Sequence, residues 1–479
     1  MASMKETELQ CDVFQDILSK LESNEFYEQI KSHLYNISAN SSDIKGTDSA
    51  ERFLSWAKLD SNLKVVSVDV PSLILPNDYE GRLHDVRVFV KFGPDDPVYD
   101  NNKEIRERIA RGNSFLELTN KAPRTFCALQ AMKKFTGGLG DDDDRESGDD
   151  LVWQKYFTKP IEEAEIVIAT NKANGEAAHL SCIEIDNEII LCGGSKNVHL
   201  LFRNKSDIDK YVEPRYRIAT EVCHTVMEAL DDMTEKDRLR LMKFLVQSQY
   251  TAVFEILSPL HQHVVNLSYL KRPALKFISW TKCELEASEK LHHLNIVPPH
   301  VGIEIAKCLG LDPVTYEKVK VSDLDIFMKQ IRKGFDSEGK VLYFLDSENQ
   351  VIGLLKKKTT WYIMCRAVRE KVKTAVNQSI KNPMKYSKTR SSNQIEKRVR
   401  EIQKWLHLDN ATTTAWKELG TSCLKWVLRE VDDNKLSPEE VRDMFPVYWE
   451  RFLRETGSTD RIDVEEDDIT ESGACGVDS

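Results

Sequence analysis

The chain has 479 residues, 41% of them hydrophobic, and its 78 acidic against 67 basic side chains give a formal net charge of -11. That length exceeds one small core and predicts two or three domains. No apolar run is long enough for a membrane helix, and the ten cysteines, at 11, 127, 182, 192, 223, 283, 308, 365, 423 and 475, form no Cys-x-x-Cys pair, which speaks against a disulfide frame or a zinc site.

Residues 1-70 show helical spacing in Val13 to Leu18 and Phe26 to Leu34 followed by a polar stretch, and are expected to form a helical N-terminal segment. The first residues lack a signal-peptide core, so a cytoplasmic or nuclear location is expected, without membrane attachment. Residues 85-92 alternate like a strand and open a central region spanning 71-365. Gly137 to Gly140 and the acidic run behind them read as a mobile loop over 139-150; glycines beside acids make a poor phosphate cradle. Glu165 to Thr170 is strand-like, Lys172-Ala-Asn-Gly175 closes it, and an apolar pattern resumes over Ala177 to Ile185. Lys-x-x-Gly also occurs at Lys134, Lys307 and Lys417. At Gly310 and Gly420 the glycine is expected to end a helix; only Lys172 has strand-like sequence on both sides.

Residues 213-250 read as two helices, the second capped by Thr234 with Asp237 downstream. Glu255 interrupts the apolar run Thr251 to Leu257, Glu338 precedes the strand-like Lys340 to Leu345, and Lys356-Lys-Lys358 ends Val351 to Leu355 ahead of Thr359-Thr-Trp-Tyr362. Residues 366-456 turn helical, with Ser437-Pro-Glu-Glu440 as a capping box and an apolar stripe through Trp405, Leu406, Leu408, Trp416, Leu419, Leu424, Trp426 and Val427. Residues 457-479 are expected to be disordered.

The acidity is local. Residues 141-150 and 457-479 carry -6 and -7, which leaves +2 for the rest, and the stretch from Arg366 to Lys404 holds twelve basic and three acidic residues. A stretch of that kind suits a phosphate backbone as well as an ordinary exposed helix face.

A lysine, two glutamates and paired lysines, each at a strand edge, form a constellation suited to nucleotide transfer. Cations near the nucleophile would favour its neutral amine, later lysines would hold the phosphate, and carboxylates offer hard oxygens to magnesium or accept ribose hydroxyls. Each has a bland alternative: Lys172 as a turn lysine, Glu255 as an edge-strand charge, Glu338 within a hairpin turn at Asp336-Ser-Glu-Gly339, the lysines as a solvated run.

With these motifs the chain resembles the covalent nucleotidyltransferases, in particular the ATP-dependent RNA ligases of phage type, the adenylyltransferase domain of fungal tRNA ligases and stand-alone eukaryotic RNA ligases. Ile109-Ala-Arg-Gly-Asn-Ser-Phe115 is similar to the arginine-glycine element of those ligases, Met132-Lys-Lys-Phe135 to their lysine-phenylalanine element, Gly194-Ser-Lys-Asn197 to a short basic element after the nucleophile, and Lys356 to Tyr362 to their last motif.

The resemblance implies an α+β fold, with a nucleotidyltransferase core of antiparallel sheets bearing helical insertions and an all-α C-terminal domain. It implies Lys172 as nucleophile, ATP and Mg2+ or Mn2+ as cofactors, and RNA with 5′-phosphate and 3′-hydroxyl ends as partner of a monomer. Arg111, Lys133, Lys134, Phe135, Asn174, Gly175, Lys196, Glu255, Lys356 and Lys358 would bind the nucleotide. Glu338 and Glu255 would hold the metal. Asn174 stands where many relatives carry Asp. Two other readings stay open: a nucleotidyltransferase that stops after adenylylating or capping an RNA end, and a catalytically silent RNA-binding protein of the same fold.

Overall fold

The computed structural model describes residues 13-40, 47-121, 123-141, 151-285 and 294-458. Three antiparallel sheets form its centre. In the first, β1 (Leu63–Asp69), β2 (Gly81–Val88), β3 (Asn113–Leu118) and β4 (Arg124–Gln130) are neighbours in chain order. β5 (Ile166–Asn171) begins the second sheet. The chain then crosses to a third, where β6 (Glu176–Ile185), β7 (Glu188–Ser195), β8 (His199–Phe202), β9 (Thr251–Leu257) and β10 (Ala274–Thr281) pair in the order β10-β9-β6-β7-β8. β11 (Tyr316–Lys320), β12 (Gly339–Leu345) and β13 (Val351–Lys358) complete the second sheet in the order β11-β5-β12-β13.

A shared core lies where the sheets face one another. Leu83, Leu116 and Leu129 come from the first, Ile168, Tyr343 and Leu354 from the second, and Ile183, Ile190 and Val253 from the third, all buried. Each such side chain contributes about 1.5–3 kcal/mol through burial. Alternation explains the arrangement, because every second residue of a strand faces the same way. The third sheet is also covered by helices Val13–Lys20, Tyr27–Asn40, Arg217–Asp232, Glu235–Ser248 and Pro299–Cys308. Thr234 caps the helix after it, its hydroxyl accepting from the Asp237 amide at 3.1 Å.

The N-terminal segment is not wholly helical. After helix Thr47–Leu59 the alternating Leu63-Lys-Val-Val-Ser-Val68 adds β1 to the edge of the first sheet, and the helix packs on that sheet through Phe53 and Phe115. The expected mobile loop is anchored at its start: Asp141 is fully buried, while 142-150 lie outside the described residues.

C-terminal to the sheets, helices Thr360–Lys381, Lys388–Leu406, Asn410–Asp432, Pro438–Asp443 and Phe445–Thr456 share a second core around Val368, Trp416, Leu424 and Trp449. Ser437 and Glu440 form the expected capping box. Gly310 ends its helix with φ of +81°. Gly420 does not end one: it lies inside Asn410–Asp432, where a Cβ would stand 2.9 Å from Ile395 and 3.0 Å from Val368. Its lack of a side chain lets three helices approach closely.

Cys11, Cys475 and residues 459-479 fall outside the described residues. No described helix is long and apolar enough to cross a membrane.

Candidate active site

Lys172 sits on the crossover between the second and third sheets. Its amide donates to the Gly339 carbonyl at 2.9 Å, which fixes the residue as it leaves β5. Gly175 then meets β9 so closely that a Cβ would lie 2.1 Å from the Ile256 carbonyl oxygen, and its amide donates to Glu255 Oε1 at 3.0 Å. The glycine of the tetrapeptide is therefore a packing requirement that also seats Glu255 beside the lysine.

Lys172 Nζ lies 2.9 Å from Glu338 Oε1. Asn174 Nδ2 donates to Glu338 Oε2 at 2.8 Å and to the Tyr362 hydroxyl at 3.0 Å, while Asn174 Oδ1 accepts from the amides of Val264 and Val265, each at 3.1 Å. Backbone amides can only donate, so the oxygen must face them. Tyr362 is held in turn by the Thr359 cap of helix Thr360–Lys381. Lys358 Nζ stands 5.3 Å from the centre of the Tyr362 ring.

Burial disfavours charge on Lys172, but Glu338 and Glu255 outweigh it and raise the amine's pKa. This reverses the expectation of a neutral amine: the nearest neighbours are carboxylates, not cations. Burial likewise opposes charge on Glu338, yet Lys172 and Lys358 hold it below the usual carboxylate range. Burial dominates at Glu255 and pushes its pKa up despite Lys172. A half-buried carboxylate short of compensating charge fits a cation. Among the described residues no three His, Cys, Asp or Glu side chains form a metal site, so an ion here would take its other ligands from phosphate and water, as magnesium commonly does.

A second group gathers around Asp95. Arg111 Nη2 lies 2.7 Å from Asp95 Oδ1, Lys196 Nζ lies 3.7 Å from Asp95 Oδ2, and Lys134 Nζ lies 2.7 Å from Asp96 Oδ1. The Tyr99 ring centre is 5.8 Å from both Arg111 and Lys134. Burial and the neighbouring Arg111 lower the Lys196 pKa to about 8, and burial, Arg111 and Lys356 lower that of Lys134. Backbone pairing explains the convergence. The segment 132-136 bonds to Arg111 on one side (Arg111 N to Met132 O, 2.8 Å) and to Lys356 on the other (Lys356 N to Thr136 O, 3.2 Å). Alternation along β13 places Lys356 and Lys358 on one face, so this strand joins the two groups.

Lys133 and Phe135 stand apart from these contacts. Lys133 Nζ pairs with Glu284 at 3.6 Å, and Phe135 packs part-buried against the core between the sheets. A cleft of about 620 Å³ borders Lys172, Asn174, Glu338 and Thr359, with Lys276 and Lys340 also on its lining. Sequence reasoning missed Asp95, Asp96, Tyr99 and the Asp141–Arg332 pair. Asp95 and Asp96 lie in Gly93-Pro-Asp-Asp-Pro97, which reads only as a turn, and Asp141 opens an acidic run that gives no sign of burial.

Two solved structures are similar to this one. The first is a Naegleria gruberi RNA ligase mutant with AMP and Mn (11% identity, 63% of this chain and 97% of that chain covered, TM-score 0.29). The second is another mutant of the Naegleria gruberi RNA ligase, with ATP and Mn (10% identity, the same coverage, TM-score 0.28). No curated protein matches the chain. A family model described as "Domain of unknown function (DUF7920)" matches residues 86-369, which is more than half of the chain and takes in every candidate residue from Arg111 to Lys358, and the chain belongs to that family.

Proposed function

We propose that the chain is an ATP-dependent RNA ligase that joins a 5′-phosphate to a 3′-hydroxyl through a lysyl-AMP intermediate. The observation that carries this reading is the 2.9 Å contact of Lys172 with Glu338, inside a group that also holds Glu255, Asn174 and Lys358. Lys172 Nζ attacks the α-phosphorus of ATP: the P–N bond forms as the bond to the bridging oxygen breaks, pyrophosphate leaves with that electron pair, and the amine gives up a proton. An oxygen of the RNA 5′-phosphate then attacks the same phosphorus, and the P–N bond breaks with its electron pair going to Lys172 Nζ, which regains a proton. Finally the 3′-hydroxyl attacks the activated 5′-phosphorus, loses its proton and expels AMP.

Lys358 and Lys356 would offset charge on the α-phosphate, and Arg111, Lys134 and Lys196 charge further along the triphosphate. Glu255 and Glu338 would hold a divalent cation, Mg2+ or Mn2+, whose charge would lower the proton affinity of Lys172. The basic stretch from Arg366 to Lys404 lies on two helices and the turn between them, the first helix starting at Thr360 beside the site, and suits an RNA backbone.

The test is incubation with magnesium and ATP labelled at its α-phosphate, with GTP in parallel. Covalent labelling of the native chain by ATP, lost in Lys172→Ala, followed by sealing of RNA ends, is the expected result. A Lys172→Ala chain that still takes up label would sink the proposal.

A further inference from the structure

We propose that Phe89 and Phe92, with Lys64, Arg87 and Lys91 beside them, form a stacking platform that binds unpaired nucleotides of the RNA strand leading to the site. Alternation along the first sheet builds it. In the ladder between β1 and β2, Leu63 faces Val88, Lys64 faces Arg87 and Val65 faces Val86. Leu63, Val86 and Val88 pack inward with Phe53 and Ala57 of helix Thr47–Leu59, so Lys64 and Arg87 turn the other way. The Phe89 amide donates to the Asn62 carbonyl at 2.7 Å, which carries the pairing one residue past β2 and puts Phe89 on the face of Arg87. Phe89 is 42% exposed and Phe92 86%. Lys64 Nζ stands 5.4 Å from the centre of the Phe89 ring, and Lys91 Nζ 5.6 Å from that of Phe92.

Charge decides the occupant. Among the described residues Lys64 and Lys91 meet rings rather than carboxylates, and the acids near them in the chain are engaged elsewhere. Asp60 Oδ1 accepts from the Asn62 amide at 2.8 Å, Asp69 pairs with Arg82, Asp85 is buried against Ser114 and His199, and Asp95 and Asp96 pair with Arg111 and Lys134. Cations without carboxylates, beside two exposed rings, suit a polyanion whose repeating unit carries a flat base. A lysine covers one face of each ring; the other face takes the base, and the ammonium meets the phosphate. A duplex keeps its bases stacked inside and offers only backbone and groove, so this surface selects unpaired nucleotides.

The position of the rings supports the same occupant. Phe92 precedes Asp95 by three residues, about 11 Å of chain at full extension. Asp95 lies 2.7 Å from Arg111, 3.8 Å from Lys134 and 3.7 Å from Lys196. A strand stacked on the two rings therefore runs up to that group of cations. The choice of RNA rests on the ligase reading; the pairing of exposed rings with cations does not.

The test uses the whole protein without ATP and a short fluorescent oligoribonucleotide bearing a 5′-phosphate, single-stranded or annealed into a duplex, with binding read by anisotropy. Phe89→Ala and Phe92→Ala should each weaken single-strand binding about tenfold, while Phe92→Tyr, which keeps a ring, binds as the native chain does. The duplex should bind more weakly to the native chain and respond to neither alanine. Lys64→Ala and Lys91→Ala should each lower the slope of log affinity against log salt by about 0.7. Both rings face solvent, so the variants should melt with the native chain. Native-strength single-strand binding by the Phe89→Ala/Phe92→Ala chain would overturn the proposal, as would an equal loss on single strand and duplex. Binding of the native chain to vesicles of anionic phospholipid, lost in Phe92→Ala while RNA binding persists, would assign the surface to a membrane instead and overturn it too. Absence of lysine labelling in the native chain counts against the ligase reading alone, because binding is read without ligation.

Discussion

Asp141 and Arg332 form a fully buried ion pair, with Oδ1 to Nη1 at 2.7 Å, that grips both backbone groups of Lys358: Asp141 accepts from its amide at 2.7 Å and Arg332 donates to its carbonyl at 2.8 Å. The second arm of the guanidinium reaches Asp141 Oδ2 at 3.0 Å, so the pair is bidentate. Removing one partner strands a charge without water. Arg332→Leu is expected to lower stability by about 3–5 kcal/mol in urea unfolding. Replacing Asp141 as well should restore much of that loss while ATP labelling stays impaired, because the end of β13 is no longer held. An Arg332→Leu chain within about 1 kcal/mol of native would show that the clamp contributes little.

The contact between Lys172 and Glu338 predicts a pH dependence with two limbs. The raised pKa of Lys172 keeps its proton on through neutrality, so the rate of self-labelling should climb as pH rises. Glu338→Gln removes the main partner that raises it, and its alkaline limb should move to lower pH even though the rate at its plateau falls. For stability the sign is opposite: Glu338 has a lowered folded pKa, so its contribution is present above the ordinary value of 4.5 and is lost as pH falls through the folded one. The gap in melting temperature between native and Glu338→Gln chains should close in acid. A labelling profile identical in the two proteins would show that Glu338 does not control the amine.

Much of the site was legible because charge is conspicuous at a strand edge. Glu255 inside an apolar run and Lys358 at the end of another announce that something must satisfy them. What could not be read is how segments distant in sequence meet. Lys134 rather than Lys133 joins Arg111 and Lys196 because segment 132-136 is extended between Arg111 and Lys356, a pairing that no local pattern encodes. The neutral amine was misjudged for the same reason, since Glu338 is 166 positions beyond Lys172 and sequence gives no distance between them. Gly420 shows the limit of periodicity: a glycine closing a helix and a glycine touching another helix look alike until Val368 and Ile395 are placed against it.

Asp95 lies among Arg111, Lys134 and Lys196, and those three cations hold its carboxyl below the usual range although burial pushes the other way. Asp95→Asn removes the competing charge at nearly constant shape. Inorganic pyrophosphate should then bind more tightly, by about 1 kcal/mol or several-fold, in titration calorimetry. Weaker binding would mean that Asp95 chiefly orients the cations.

Asn174 explains why an amide suits this position. Its two donors go to Glu338 and Tyr362 and its oxygen takes two backbone amides, so the side chain is satisfied on both ends. Asn174→Asp keeps the shape and the two acceptor contacts but loses both donors and sets a carboxylate against Glu338, 2.8 Å from the atom replaced. Two carboxylates at that distance cannot both ionise cheaply, so the introduced group should have a folded pKa above its unfolded value of about 3.9. A raised acid keeps its proton in the folded state, which makes stability fall as pH rises between those two values. The variant should therefore melt close to the native chain near pH 4 and progressively below it toward pH 7, with a loss of about 1–3 kcal/mol at neutrality. Asn174→Ala, which adds no charge and removes only one of the hydrogen bonds that lower the Glu338 pKa, should show a weaker dependence on pH over that range. If both variants respond to pH alike, repulsion from Glu338 is not what keeps an amide at this position.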